Sequence, residues 1–340
     1  MKTNLFCKEK LAGGERDNTL DIVAGILIIR MILGHYLTMA HLSESILFKF
    51  MNILFFFMPW FFFKSGMFCS AEKKDLKLFL TSNLKKYVVP FLFFSFVGLS
   101  MALVFAIIDN DSITSFVIKV CKDVLFRQAI WFNAPLWFLL SLFLARVMFN
   151  LVREYVNHYI LMVVLLLFAF VHHIFLAKHG IYWGGNICSG LLFYILGFKL
   201  KEIQYKKNVL FAAIVILIII AFARPSIVTM YGNTLVYDGG IYLLWYPFCL
   251  VGIVVFNNLI KCVGVFLEHF HFDDFGRNSM IYYVLHWPLA LLICTIYNKC
   301  VDSPNNYELM LYLCLACFGL LPLLTWIFNT KVMSKFIGRE

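Results

Sequence analysis

The chain has 340 residues, of which 62% are hydrophobic and 18% aromatic, whereas only 14% are charged. This apolar share is far above that of a soluble domain, so the composition excludes water-soluble folds and indicates an integral membrane protein. The net charge of +10 fits membrane topology and attraction to anionic lipid headgroups, so we expect membrane lipid and no nucleic acid as a partner.

Ten apolar runs follow one another along the chain, each close to the roughly 20 residues that a helix needs to cross a bilayer. They lie at residues 20–41, 46–69, 87–109, 131–151, 159–177, 181–200, 208–223, 239–259, 278–298 and 306–328. They are longer than barrel strands and do not alternate between apolar and polar residues, so they predict an all-α fold, a polytopic bundle of about ten transmembrane helices. Between them, residues 111–127 are predicted to form an amphipathic helix at the membrane surface, and residues 260–277 a loop outside the membrane.

Lysine and arginine are unevenly divided between the two sides of this bundle. The two tails and every second loop carry 19 of them, whereas the remaining loops carry six. Loops rich in these residues stay in the cytoplasm, so both termini are predicted to be cytoplasmic. We therefore predict a cytoplasmic tail at 1–19, a single transmembrane domain at 20–330 and a second cytoplasmic tail at 331–340.

Several apolar runs carry ionisable residues. A charge at the centre of a membrane helix costs about 2.5–3.5 kcal/mol on insertion scales, so such residues are candidates for function. They are Arg30, His35, Lys64, Arg146, His172, His173 and His286. On the first helix, Asp21 and His35 lie within about 40° of one face and about 21 Å apart along the axis, whereas Arg30 points elsewhere.

Six segments together resemble one protein family. LDIVAGILIIRMILGH, FFFMPWFFFKSGMF, a basic pair before YVVPF, APLWFLLSLF, FYILGF and GRNSMIYYVLHWPL are similar, in that order, to the acyltransferase-3 family of bacterial membrane O-acyltransferases. The resemblance runs from about residue 17 to 330. It implies transfer of an acyl group, usually acetyl from acetyl-CoA, to a hydroxyl of a cell-surface polysaccharide or lipid-linked glycan, in the bacterial cytoplasmic membrane.

The family's first helix carries a basic residue, ten further residues and then a histidine. Here His35 supplies the histidine, but Ala24 occupies the basic position. Lys64 stands where the family usually has an apolar residue, at a depth similar to that of Ala24. We predict that Lys64, or else Arg30, replaces the missing cation, so the candidate catalytic residues are His35, Asp21, Lys64 and Arg30.

An alcohol that attacks a thioester must lose its proton, and His35 is predicted to be the general base that takes it. Direct transfer and a short-lived acyl-enzyme both remain open. Lys85 and Lys86 match the family's basic pair and, with Arg277 at a helix start, are predicted to bind the phosphates of CoA. Ordinary positive-inside anchoring also explains all three. For His286, a buried structural hydrogen bond competes with a catalytic role.

Two short motifs favour simpler interpretations. Cys314 and Cys317 form C-x-x-C on an apolar helix with no second ligand pair nearby, so we expect no metal site. His269 and Asp274 have the H-x-x-x-x-D spacing of glycerolipid acyltransferases, but that motif needs a soluble α/β domain, so a solvated loop is the better interpretation.

A second functional class is a membrane carrier for a lipid-linked glycan or a small anion. Arg30, Lys64 and Arg146 would then line the pathway. The sequence shows no inverted repeat and no paired broken helices, which favours the enzyme.

Overall fold

The computed structural model describes residues 18–201 and 242–338, apart from 71, 109 and 111, together with residues 3–4, 204–205, 211 and 214–215. Its helices, numbered in chain order, are α1 Thr19–Met39, α2 Ile46–Met51, α3 Phe57–Met67, α4 Leu76–Asn83, α5 Val89–Ile108, α6 Ile113–Arg127, α7 Trp137–Val152, α8 His158–Phe175, α9 Trp183–Leu200, α10 Trp245–Glu268, α11 Phe272–Arg277, α12 Ser279–Cys300 and α13 Asn306–Phe328. A two-residue antiparallel strand pair joins Thr3–Asn4 to Gln204–Tyr205.

Eight helical stretches of the described chain are long and apolar enough to cross a membrane, so the predicted all-α, multi-pass fold is confirmed. They are Thr19–Met39, Ile46–Met67, Leu76–Ile108, Ile113–Val152, His158–Phe175, Trp245–Gly264, Ser279–Cys300 and Asn306–Phe328. Most of the predicted run at 208–223 lies outside the described residues. The cytoplasmic position of both termini stays a prediction from the charge distribution.

The predicted run at 181–200 forms α9, although this helix is not among those eight. It packs against α3, α7 and α8 and is buried over most of its length. Because neighbouring helices shield it from lipid, α9 can include polar residues such as Asn186 and Ser189 without facing hydrocarbon.

Reciprocal glycines bring α3 and α9 into backbone contact. A Cβ atom at Gly66 would overlap the carbonyl of Tyr194, and one at Gly197 would overlap the carbonyl of Phe63. Small residues at facing positions are how membrane helices approach closely. This contact fixes α3, which carries Lys64.

Residues 260–277 are mostly helical, so their prediction as a loop is wrong, whereas their position outside the membrane stays a prediction. Helix α10 continues to Glu268, and α11 then packs against the first turns of α1. A Cβ at Gly25 would overlap the carbonyl of Phe272, and one at Gly276 that of Asp21. The glycines allow backbone contact between α1 and α11, which pattern analysis of a single helix does not show.

Helix α6 agrees with the predicted helix at 111–127. Almost all of its side chains are exposed, and its end is held by a hydrogen bond from the Tyr182 amide to the Phe126 carbonyl (2.8 Å). Its position at a membrane surface stays a prediction.

Candidate active site

A cavity of about 770 Å³ lies at the end of the bundle where α1 begins and α13 ends. Four cations and two carboxylates are among its lining residues: Lys64, Lys86, Arg146 and Arg277 with Asp21 and Asp274. We call it the basic cavity. This excess of positive charge favours binding of anions over cations.

Lys64 reaches from α3 to the first turn of α1. Its ammonium donates to the Leu20 carbonyl (3.2 Å) and forms an ion pair with Asp21 (3.5 Å). Ala24, the position where the acyltransferase-3 pattern has its basic residue, lies one turn further along α1 and is fully buried. The Lys64 ammonium therefore contacts α1 about one helical turn before position 24, where the family has its basic residue.

Arg146 enters the basic cavity from α7. Its guanidinium donates to Asn83 Oδ1 and Ser65 Oγ, both at 2.6 Å, and lies 5.5 Å from the centre of the Tyr87 ring. These partners are neutral, so they orient the guanidinium without neutralising its charge. An oriented guanidinium is well suited to bind phosphate.

The predicted CoA-binding residues are placed differently from one another. Lys86 and Arg277 line the basic cavity, whereas Lys85 does not. Arg277 forms ion pairs with Asp273 and with Asp274 (3.1 Å) at the end of α11, next to the start of α12. Asp274 lies in helix α11 and lines the basic cavity, so its assignment to a loop is wrong, although its side chain is exposed.

A second cavity, about 110 Å³, contains His35. We call it the histidine chamber. Its lining residues are Met31, His35, Phe57, Met58, Ala134, Pro135, Trp137, Tyr283 and Trp287. The chamber is thus almost entirely apolar, and His35 is its one imidazole.

Aromatic contacts hold the His35 ring. It stacks on His286 with ring centroids 5.4 Å apart and meets Trp287 edge-on at 5.0 Å. His286 is fully buried, and its Nδ1 lies 2.8 Å from the Tyr283 carbonyl. Because a carbonyl only accepts, Nδ1 carries the proton, and the opposite nitrogen, Nε2, has no hydrogen-bond partner among the described residues.

A proline and an asparagine fix this part of α12. Pro288 has no amide hydrogen, so it leaves the Val284 carbonyl without its helical donor. The buried Asn133 side chain, just before α7, donates to that carbonyl at 3.1 Å. The bond ties α12 to α7 beside the chamber.

The two cavities share part of their walls. Met58 and Tyr283 line both of them, so the basic cavity and the histidine chamber are neighbours separated by these side chains. A long polyanionic molecule in the first cavity could place its far end at the second. The two cavities form one candidate site, with a large charged part beside a small apolar part that contains an imidazole.

Arg30 lines neither of these cavities. Its guanidinium donates to the Met51 carbonyl (3.1 Å) and to Asn52 Oδ1 (2.8 Å), and it lies over the Phe57 ring. These contacts tie α1 to the turn between α2 and α3. Of the three cations proposed to line a carrier pathway, only Lys64 and Arg146 share a cavity.

The sequence predicts no role in acyl transfer for two residues of this site, Arg146 and Tyr283. Arg146 was recognised as an intramembrane charge, but its neighbours on α3 and α4 are distant in sequence. Tyr283 lies three residues before His286, and this helical spacing is the signal that could have drawn attention to it.

The chain belongs to the acyltransferase-3 family, whose model, described as an acyltransferase domain, matches residues 17–329. It is therefore a membrane acyltransferase, as the resemblance implied. No curated protein and no solved structure matches the chain.

Proposed function

We propose that this protein is an O-acyltransferase of the bacterial cytoplasmic membrane. It transfers an acyl group, acetyl in the simplest case, from acyl-CoA to a hydroxyl of a cell-surface polysaccharide or lipid-linked glycan. The observation that carries the proposal is the shared wall between a cavity with four cations and a chamber containing His35.

The basic cavity suits the acyl donor. CoA carries several phosphate charges at one end and its thioester at the other, joined by a narrow chain. Lys64, Lys86, Arg146 and Arg277 supply charge for the phosphates. The start of α1 and the end of α13 lie on this side of the bundle, which positive-inside counting assigns to the cytoplasm, where CoA is present.

The histidine chamber suits the chemistry. His35 takes the proton of the acceptor hydroxyl as its oxygen attacks the thioester carbonyl, and a carbon–oxygen bond forms. The carbon–sulfur bond then breaks, and His35 returns the proton to the departing thiolate. The chamber lining contains no serine, threonine or cysteine. An acyl-enzyme in the chamber would need His35 or Tyr283 as nucleophile, so direct transfer is the simpler route.

Mass analysis of surface polysaccharide tests the proposal. Cells with the wild-type protein should carry an alkali-labile acyl group, and cells with His35→Ala should lose at least about 99% of it, because a general base contributes about 10²–10⁴ in rate. His172→Ala is the matched control, since His172 is also buried in a membrane helix but lines neither cavity. Full acylation with His35→Ala, or flux of an unmodified glycan, would contradict the proposal and favour a carrier.

A further inference from the structure

The geometry points to Tyr283 as a further catalytic residue, the hydroxyl that donates a hydrogen bond to the oxyanion formed during acyl transfer. This inference rests on the proposed function. It names which described side chain stabilises the transition state.

The first step is where the reacting carbon must lie. Phosphates held by the cations of the basic cavity place the thioester toward the histidine chamber, while the base, His35, lies inside that chamber. The thioester carbonyl must therefore lie at the boundary of the two cavities. Met58 and Tyr283 form that boundary, and of these two only Tyr283 has a hydrogen-bond donor in its side chain.

The second step is the state of the phenol. Tyr283 is 5% exposed, and its hydroxyl has no hydrogen-bond partner among the described residues. The backbone of Phe138 lies beside the hydroxyl and interacts with it electrostatically, and the hydroxyl proton has no acceptor among the described residues. Buried polar groups are nearly always paired, so an unpaired hydroxyl at a cavity wall is a site for a ligand atom.

The third step is rigidity. The Tyr283 ring meets the Phe138 ring nearly edge-on at 5.6 Å, and the next residue, Val284, is bound through its carbonyl to Asn133. A donor that is already in place and shielded from water stabilises developing charge with no cost of reorientation.

In the chemical step, the acceptor oxygen bonds to the carbonyl carbon of the thioester. The π electron pair moves onto the carbonyl oxygen, which accepts a hydrogen bond from Tyr283. His35 holds the proton of the acceptor. The electron pair then returns, the carbon–sulfur bond breaks, and the thiolate takes the proton from His35. Tyr283 keeps its own proton throughout.

Tyr283→Phe removes only the hydroxyl. With full-length protein in lipid nanodiscs, acetyl-CoA as the donor and surface polysaccharide purified from cells that lack this protein as the acceptor, we expect kcat to fall about 10²–10³-fold, as for loss of one oxyanion donor. The KM for acetyl-CoA should stay within about twofold, since the ground state does not use this bond. Tyr282→Phe is the matched control, because Tyr282 is adjacent on α12 and lines neither cavity.

The outcomes separate the two proposals. An active wild type whose Tyr283→Phe variant retains full kcat overturns the inference alone, whereas a wild type that forms no ester contradicts the proposed function itself. An acetyl group found on Tyr283 after rapid quenching also overturns the inference, because the hydroxyl would then be a nucleophile.

If Tyr283→Phe fails to accumulate, a ring-fluorinated tyrosine at 283 retains the hydroxyl with a more acidic proton. An unchanged kcat in that variant overturns the inference.

Discussion

The imidazole of His35 stacks on that of His286, with ring centroids 5.4 Å apart and planes 21° from parallel. One ring belongs to the first helix of the chain and the other to α12. The His286 ring is fixed by its Nδ1–H bond to the backbone, so it restricts the rotation of His35. We infer that His286 is a positioning residue for the base.

His286→Ala should therefore lower kcat by about ten- to a hundredfold and leave the KM for acetyl-CoA unchanged, because a misoriented base reacts slowly while donor contacts persist. His286→Phe should recover much of the loss, since an aromatic ring again packs against His35. Steady-state kinetics of the two variants check this. If the phenylalanine variant is as slow as the alanine variant, the ring nitrogens of His286 are needed for the rate, and ring stacking alone does not explain its role.

Lys64→Met should raise the KM for acetyl-CoA about ten- to a hundredfold, because a charge-assisted bond to a phosphate contributes about 1.5–3 kcal/mol. Lys64→Arg should keep most of the affinity. The Lys64–Asp21 pair is partly exposed to the cavity, so its loss should reduce the free energy of unfolding by only about 1 kcal/mol. Full activity of Lys64→Met would contradict the hypothesis that this lysine replaces the cation missing at position 24.

Arg146→Met and Arg30→Met should fail in different ways. Arg146 lines the basic cavity and also binds Asn83 and Ser65, so its loss should both raise the KM for acetyl-CoA and lower the thermal midpoint. Arg30 lines neither cavity and binds Met51 and Asn52, so its loss should lower the thermal midpoint and leave that KM unchanged. Kinetics and thermal unfolding in the same nanodiscs give both values. A large KM effect from Arg30→Met would restore Arg30 as a site residue.

Gly66→Ala should destabilise the bundle by about 1–3 kcal/mol, because the added methyl group meets the backbone of Tyr194 and forces α3 and α9 apart. Gly319→Ala is the matched control: it lies in α13 with nothing within 4 Å of the new Cβ, and it should gain up to about 1 kcal/mol from helix propensity. Equal thermal midpoints for the two variants would contradict the backbone contact.

The sequence alone predicted the class of the fold well. Hydrophobic runs of membrane length identified most spans, since the bilayer imposes the same physical requirement on every helix. The hydrophobic pattern also predicts α9, although this helix is less apolar because neighbouring helices shield it from lipid. The pattern fails at α11, where it predicts a loop, because the contact of α11 with α1 depends on glycines 251 positions apart, Gly25 and Gly276.

The same division applies to the candidate site. The sequence is enough to give the composition, the helix lengths, the positions of the charged residues and the family resemblance, because each depends on local sequence. These features already identified His35 and Lys64 as candidate site residues. Only the tertiary structure shows that Lys64 forms an ion pair with Asp21, that Arg30 binds Asn52 and lines neither cavity, and that Tyr283 lies between the basic cavity and the histidine chamber. These relationships arise from the packing of helices far apart in sequence, and no periodicity within one helix specifies its neighbours.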